Sequence, residues 1–144
     1  MIVPVSVQNE REWAGLCAAL WPGDSVASWM QKRNAGESPY EYLYVDGHEA
    51  VAFISLALRH DYVEGTDSSP VGYVEGVYVK PGHRGRGIAK ELVEFAKKWA
   101  LERGCTELAS DCELSNADSR AFHGSVGFRE ANVIVCFTMK LQEE

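Results

Sequence analysis

The 144-residue sequence predicts a mixed α/β fold, with a central, mostly antiparallel sheet and about four helices packed on it. Apolar residues recur at helical spacing in some segments, whereas β-branched and aromatic residues alternate in others. Asp46-Gly47 joins two of the β-rich runs, and this pair is the strongest short signal of a β-hairpin. The length and the 46% hydrophobic content suit one domain with a buried core, which we expect to span residues 1–144.

The elements of the first half follow the order β-α-α-β-β. A short strand over 2–7 precedes a helix that Trp13, Leu16, Cys17 and Leu20 indicate by their spacing, and Pro22 and Gly23 end that helix. A second, short helix follows, with Asp24 as its candidate N-cap. The two strands of the hairpin occupy residues 40–58.

The second half continues as β-α-β-α-β. A strand within 68–82 has five residues on one face, which are Val71, Tyr73, Glu75, Val77 and Val79. The next helix carries an apolar stripe and ends at Gly104; the stripe is Ile88, Leu92, Phe95 and Trp99. A short strand at 105–111, a helix capped by Ser115 with Asp118 three residues later, and a closing strand over 128–141 complete the order.

The composition restricts the classes of partner and compartment. Against 14 Lys and Arg residues stand 21 Asp and Glu, and the net charge of −7 disfavours nucleic acid and favours cationic ligands. No apolar run is long enough to span a bilayer, and the N-terminus does not have the pattern of a signal peptide. The four scattered cysteines match neither a zinc site nor a disulfide framework, so we expect reduced thiols, no metal and a cytoplasmic protein.

The stretch HRGRGIA at 83–89 places glycines and arginines between a strand and a long amphipathic helix. The first amides of a helix lack intrahelical acceptors and carry the positive end of its dipole, so such a turn is suited to bind phosphate. A Walker A loop would need Lys and Ser or Thr where Ile88 and Ala89 stand, and the dinucleotide fingerprint would need glycine at Lys90. The pattern Arg/Gln-x-x-Gly-x-Gly/Ala fits Arg84–Ala89 at every position.

This segment resembles the acetyl-CoA pyrophosphate loop of the GNAT superfamily of N-acetyltransferases, and Asn116 and VGF at 126–128 resemble its later cofactor-side helix. The resemblance implies a sheet splayed at the acetyl-CoA site, with Gly76 placed for the bulge that begins the splay. It implies backbone amides of residues 86–90 on the pyrophosphate and strand-like pairing of the pantetheine with Val77 and Val79. The implied cofactor residues are Val77, Tyr78, Val79, Arg84, Gly85, Arg86, Gly87, Ile88, Ala89, Lys90 and Asn116.

Three further stretches, LWPG at 20–23, residues 58–79 and LASD at 108–111, resemble the aminoglycoside 6'-N-acetyltransferases. That resemblance implies direct acetyl transfer to a cationic drug and antibiotic resistance, in a protein that is often a homodimer. It implies substrate contacts at Trp21, Tyr62, Glu75 and Asp111. Glu75 is our candidate base or ammonium anchor, because a carboxylate on an apolar strand face is costly unless it is hydrogen-bonded or functional.

Two positions depart from the family pattern, and other functions compete. His123 stands where many GNAT enzymes have a tyrosine acid, so either His123 or solvent protonates the thiolate. Asn132 stands where some relatives have a further acidic substrate contact. The alternatives are a GNAT enzyme that acts on polyamines or protein N-termini, and a non-catalytic sensor that binds acyl-CoA.

Overall fold

The computed structural model describes residues 1–37 and 39–142, and the chain divides into two compact units, Met1–Asp111 and Cys112–Glu144. The first unit holds β1 (Ile2–Pro4), α1 (Glu10–Leu20), α2 (Val26–Asn34), β2 (Tyr40–Asp46), β3 (Glu49–Arg59), β4 (Val71–Val79), a 3-10 turn (Pro81–His83), α3 (Ile88–Glu102) and β5 (Leu108–Ser110). The second unit holds α4 (Ala117–Ser125). Among the described residues, no helix is long and apolar enough to cross a membrane.

The sheet has the strand order β1-β2-β3-β4-β5. Neighbouring strands are antiparallel except β4 and β5, which pair in parallel over only three residues of each, Gly72–Val74 and Leu108–Ser110. The mixed, mostly antiparallel sheet predicted from the sequence is therefore confirmed.

Helices cover both faces of this sheet. Successive side chains of a strand point to opposite faces. On β2, Leu43 packs with Trp13 and Cys17 of α1, whereas the Tyr42 ring meets Phe95 of α3 at 4.7 Å between centroids. Glu41 shares the α1 face with Leu43, two residues away, so a carboxylate enters the apolar layer beneath α1.

A β-bulge interrupts the pairing of β3 with β4. Ser55 lies opposite Gly76, but the next residue, Leu56, lies opposite Val74, so Glu75 is the extra residue. A Cβ added at Gly76 would lie 2.4 Å from Cζ2 of Trp21, so only glycine lets the indole approach the bulge this closely. The bulge lies where the sequence predicted it.

Both predicted helix N-caps are wrong by one residue. Ser25 caps α2: its backbone is extended and its hydroxyl accepts a hydrogen bond from Ser28 N–H at 3.1 Å. Asp24 instead accepts from the hydroxyl of Ser28. Asn116, not Ser115, caps α4 and accepts from the amide of Ser119. Adjacent residues of cap-forming type are distinguished by backbone conformation, which composition does not reveal.

The predicted closing strand over 128–141 is wrong for the single chain. In the second unit no strand forms between residues 126 and 142, all of which are described. A strand requires a neighbour with which to exchange backbone hydrogen bonds, and a favourable sequence does not supply one. Large apolar side chains in this segment are at least 60% exposed: Val133, Ile134, Val135, Phe137, Met139 and Leu141. We call residues 129–142 the C-terminal arm.

Candidate active site

The loop between β4 and α3 presents backbone amides in open space. Gly85 and Gly87 have φ of 78° and 80°, in the left-handed region that favours glycine. A Cβ added at either would meet no heavy atom within 4 Å. Gly87 caps α3, and its carbonyl accepts the hydrogen bond from Glu91 N–H at 3.0 Å. The amides of residues 88–90 precede that bond, so they lack intrahelical acceptors and suit an anion.

Both arginines of the loop bind protein oxygens. Arg84 Nε donates to the carbonyl of Val79 at 2.8 Å, which ties the loop to the end of β4. Arg86 donates to Asp46 Oδ2 at 3.2 Å, which ties it to the β2–β3 turn. The arginines therefore hold the loop in shape as well as adding positive charge to it.

The edge of β4 toward β5 opens beyond Val74. On its other edge, Val77 pairs with Ile54 and Val79 with Ala52 of β3. Toward β5, the pairing within the first unit ends at Val74 and Ser110. Backbone groups of residues 77–79 on that edge can therefore pair with an extended ligand in the manner of an added strand.

A cavity of about 540 Å³ in the first unit is lined by residues of α2, β2, β3 and β4. Its wall includes Trp21, whose indole stacks on Trp29 at 5.0 Å between centroids with 30° between the planes. Aromatic faces of this kind suit the apolar faces of sugar rings. The lining residues are Trp21, Trp29, Glu37, Pro39, Tyr40, Glu41, Ser55, Leu56, Ala57, Leu58 and Glu75.

Glu75 lines the cavity, but it is not the lone carboxylate on an apolar face that the sequence predicted. Its side chain is 36% exposed, and Arg59 Nη2 donates to both of its oxygens, at 3.0 and 2.9 Å. As the extra residue of the bulge, Glu75 does not follow the alternation from which its burial was predicted. The site thus pairs its exposed carboxylate with a guanidinium.

Asp111 follows β5 and accepts a hydrogen bond from the hydroxyl of Tyr73. Burial and this hydrogen bond to Asp111 raise the pKa of Tyr73, which stays a neutral donor. The guanidinium carbon of Arg59 lies 3.5 Å from the centroid of the Tyr73 ring. Arg59 therefore connects the two predicted substrate carboxylates, Glu75 and Asp111, in one network.

Of the other predicted residues, Tyr62 does not line the cavity, and His123 and Asn132 belong to the second unit. Tyr62 is 75% exposed on the β3–β4 loop, and its hydroxyl accepts from Gly65 N–H. In the second unit, His123 Nδ1 lies 2.7 Å from the carbonyl of Ser119. Asn132 Oδ1 accepts from Val133 N–H at 3.0 Å. Within the described residues, no group of three His, Cys, Asp or Glu side chains could hold a metal.

The sequence reasoning missed Glu41, Trp29, Ser55 and Arg59. Glu41 is only 5% exposed; it accepts hydrogen bonds from Trp13 Nε1 at 2.8 Å and from Ser55 Oγ at 2.5 Å. Burial raises the pKa of Glu41 to about 7, although the two hydrogen bonds lower it. The signal was present, because the alternation of β2 places Glu41 on the same face as buried Leu43.

A family model and known relatives match this chain over most of its length. The acetyltransferase (GNAT) family model matches residues 8–128. The chain belongs to this family. Its GNAT relatives include the aminoglycoside N(6')-acetyltransferase type 1 of Acinetobacter haemolyticus, 40% identical over 97% of this chain and 98% of the relative. The enzyme of that name from Serratia marcescens is 38% identical, over 98% of this chain and 99% of the relative.

Two solved GNAT structures are similar over nearly their whole length. The apo aminoglycoside antibiotic 6'-N-acetyltransferase AAC(6')-IG from Acinetobacter haemolyticus has a TM-score of 0.92 and 39% identity, with 99% of each chain covered. AAC(6')-Iy in complex with the bisubstrate analog CoA-S-monomethyl-acetylneamine has a TM-score of 0.91 and 31% identity, with 97% of each chain covered. The family and the fold predicted from the sequence are confirmed.

The buried carboxyl of Glu41 should make the fold less stable as pH rises. Its folded-state pKa of about 7 lies above that of an exposed glutamate, so protonation stabilises the fold at low pH and this stabilisation is lost as pH rises through 7. We expect Glu41→Gln to be more stable than the wild type at about pH 8, by on the order of 3 kcal/mol, and to lose that advantage at about pH 5. Thermal unfolding followed by circular dichroism measures the stability of both proteins at each pH. A stability difference independent of pH would contradict the prediction.

Proposed function

We propose that this chain transfers the acetyl group of acetyl-CoA to the 6'-amino group of aminoglycoside antibiotics by direct attack, and so confers resistance to them. The observation that carries the proposal is the cavity in which stacked Trp21 and Trp29 lie with the carboxylate of Glu75, at the bulge that precedes the open edge of β4. An aromatic wall and an anion suit an aminated sugar. Relatives named as aminoglycoside N(6')-acetyltransferases, at 32% to 40% identity, support this substrate class.

The acetyl-CoA site proposed here uses the loop and the edge of β4. The pyrophosphate accepts hydrogen bonds from the amides of residues 86–90, and the pantetheine pairs with β4 at residues 77–79. The open space around Gly85 and Gly87 leaves room for phosphate, and a relative solved in complex with CoA supports the ligand. The proposed cofactor residues are Val77, Tyr78, Val79, Arg84, Gly85, Arg86, Gly87, Ile88, Ala89, Lys90 and Asn116.

The acceptor is held by charge and by stacking. Trp21 and Tyr62 stack on or hydrogen-bond the sugars, while Glu75 and Asp111 bind ammonium groups. Arg59 already neutralises Glu75, so a cationic acceptor displaces this guanidinium from the carboxylate. The net charge of −7 favours such an acceptor and disfavours nucleic acid.

The two compact units act together as one acetyltransferase domain over residues 1–144. The family model supports this, because its match over 8–128 crosses the boundary at Asp111. All four cysteines are free thiols, which fits the reducing cytoplasm. The proposal includes no membrane partner.

The protein forms a homodimer in which a second copy covers the C-terminal arm. The arm carries Val135, Phe137 and Met139 at 75%, 88% and 82% exposure, far more apolar surface in one segment than a monomer commonly leaves in water. Its β-branched residues Val133, Ile134, Val135 and Thr138 and its aromatic Phe137 suit pairing as a strand once a neighbour is supplied.

Turnover on a panel of amines tests the function, with Glu75→Gln as the diagnostic variant. Free thiol released from acetyl-CoA should appear with kanamycin, and far less with spermidine or peptides. If Glu75 accepts the proton, Glu75→Gln lowers kcat by about 10²–10⁴-fold with partial recovery at high pH. If it only anchors the ammonium, KM rises instead. Asp111→Asn should raise KM for kanamycin more than KM for acetyl-CoA. Turnover of spermidine or peptides alone would refute the drug assignment.

Binding of acetyl-CoA should depend on the glycine that caps α3. Gly87→Asp places a side chain and a negative charge against the amides proposed to hold the pyrophosphate, so we expect affinity to fall at least about 10-fold. Calorimetry with acetyl-CoA measures this. Gly104→Asp is the matched control, because Gly104 also has a positive φ (82°) but lies at the opposite end of α3. Equal affinity in folded Gly87→Asp and wild type would remove the site from this loop.

The dimer should dissociate when the arm is made polar. Val135→Glu combined with Phe137→Glu puts charge on side chains that a second copy is proposed to bury, so sedimentation velocity should show monomer where the wild type shows dimer. Leu101→Glu is the control, since Leu101 is 67% exposed on α3 outside the arm. A wild type that sediments as a monomer would disprove the dimer.

A further inference from the structure

We propose that Glu41 and Ser55 form a proton relay for acetyl transfer, in which the Ser55 hydroxyl takes the proton of the substrate ammonium while its own proton passes to Glu41. The inference rests on the proposed function and extends it, since neither residue belongs to the predicted site. Both line the same cavity as Glu75 and the Trp21 indole.

The register of the sheet brings the relay to the reacting region. Glu41 of β2 lies opposite Ser55 of β3, and Ser55 lies opposite Gly76 of β4. Gly76 comes directly before Val77, where the open edge of β4 is proposed to hold the acetyl donor. A path from the buried carboxyl to that edge therefore crosses two strand spacings, with Ser55 in the middle.

Hydrogen-bond directions give the relay its polarity. Trp13 Nε1 is a donor only, and it occupies Glu41 Oε1 at 2.8 Å. The hydroxyl of Ser55 donates to Oε2 of Glu41 at 2.5 Å. A hydroxyl oxygen that donates its proton keeps lone pairs with which to accept another, so Ser55 can accept from an ammonium in the cavity.

Glu41 suits proton transfer better than Glu75 does. Before an acceptor binds, Arg59 Nη2 donates to both oxygens of Glu75, at 3.0 and 2.9 Å, so a guanidinium already occupies that carboxylate. The hydrogen-bond partners of Glu41, in contrast, are a neutral indole and a neutral hydroxyl. Among the described residues no cation forms an ion pair with Glu41, and a carboxylate at 5% exposure in that state is costly to retain for structure alone.

The charges around Glu41 are consistent with a base that operates near neutral pH. Its pKa is raised to about 7, chiefly by burial and also by Glu75 of β4, although the hydrogen bonds from Ser55 and Trp13 and the charge of Arg33 on α2 lower it. The thiol of Cys17 faces it from α1, and burial together with Glu41 raises the pKa of that thiol, so Cys17 stays neutral. Glu41 thus changes protonation where an enzyme at neutral pH can use it.

The step balances. An N–H bond of the ammonium breaks, its proton binds Ser55 Oγ, and the original hydroxyl proton binds Glu41 Oε2. The lone pair left on nitrogen forms the bond to the acetyl carbon. The attacking nitrogen loses a second proton as it becomes the amide nitrogen, and the carbon–sulfur bond breaks. The sulfur leaves with its electron pair and takes up that proton, directly or through solvent. Glu41 returns its proton through Ser55 to solvent before the next cycle.

The pH dependence of kcat with kanamycin, in the wild type, Glu41→Gln and Ser55→Ala, tests the relay. In the wild type, kcat should fall as pH decreases through about 7, because protonated Glu41 cannot accept. Each variant should lose at least about 10-fold in kcat at about pH 8, lack this transition and instead rise steadily toward high pH. Ser55→Thr, which keeps the hydroxyl, should retain the transition, and the double variant should be no slower than either single one.

Glu107→Gln is the matched control, because the Glu107 carboxylate also accepts from a serine, Ser68 Oγ at 2.5 Å, and does not line the cavity. It should keep the wild-type pH profile. A wild-type profile in folded Glu41→Gln, with changes only in KM or unfolding temperature, would overturn the relay and leave Glu41 structural.

A measurement without turnover separates the relay from the proposed function. Infrared difference spectra of the wild type without substrate, taken against Glu41→Gln, should show a carboxyl band that appears on protonation near neutral pH. In Ser55→Ala this band should shift in frequency. A Glu41 that stays ionised to about pH 5 would overturn the relay whatever the substrate. Absence of thiol release with every aminoglycoside would instead refute the proposed function.

Discussion

The contact between the Trp21 indole and the backbone of Gly76 governs the geometry of the candidate site. A side chain at position 76 would collide with the ring at 2.4 Å, so the end of α1 can rest on β4 only at a glycine. The same place carries the bulge that makes Glu75 the extra residue and sets Ser55 opposite Gly76. Immediately beyond it, the paired edge of β4 toward β5 has ended. The close approach of Trp21 to Gly76 therefore places the indole and the Glu75 carboxylate at the bulge, next to the residues where the edge of β4 is open.

Three carboxylates near this point differ in what surrounds them, and their chemistry differs accordingly. Glu75 is partly exposed and held by Arg59, which suits binding of a cation by exchange. Asp111 accepts from the hydroxyl of Tyr73 and anchors the end of β5. Glu41 is buried against neutral donors, and burial raises its pKa to about 7. Different surroundings for like groups allow one site both to bind charge and to move protons.

Local patterns in the sequence predicted the local parts of this structure. The hairpin at Asp46-Gly47, the stripe of α3 and the glycine loop all follow from neighbouring residues, and each is present. Features that depend on distant residues were predicted less well. The closing strand requires a partner strand, the exposure of Glu75 depends on the register of β3, and the importance of Glu41 depends on a cavity formed by four elements. Alternation along β2 did carry the clue to Glu41, but a single inward glutamate is informative only once its surroundings are known.

The proposed binding of two ligands of opposite charge explains why glycine and arginine are concentrated in one loop of this acidic chain. Arg84 and Arg86 bind Val79 and Asp46, so they are partly used in fixing the loop. Left-handed Gly85 and Gly87 leave the helix amides open. Backbone amides attract phosphate without a mobile cation, which matters in a protein whose net charge of −7 attracts cationic acceptors. A loop that relied on free lysines would offer those cations to the carboxylates meant for the acceptor. In the proposed site, binding of the anionic donor through amides and immobilised arginines keeps the carboxylates of the cavity for the amine.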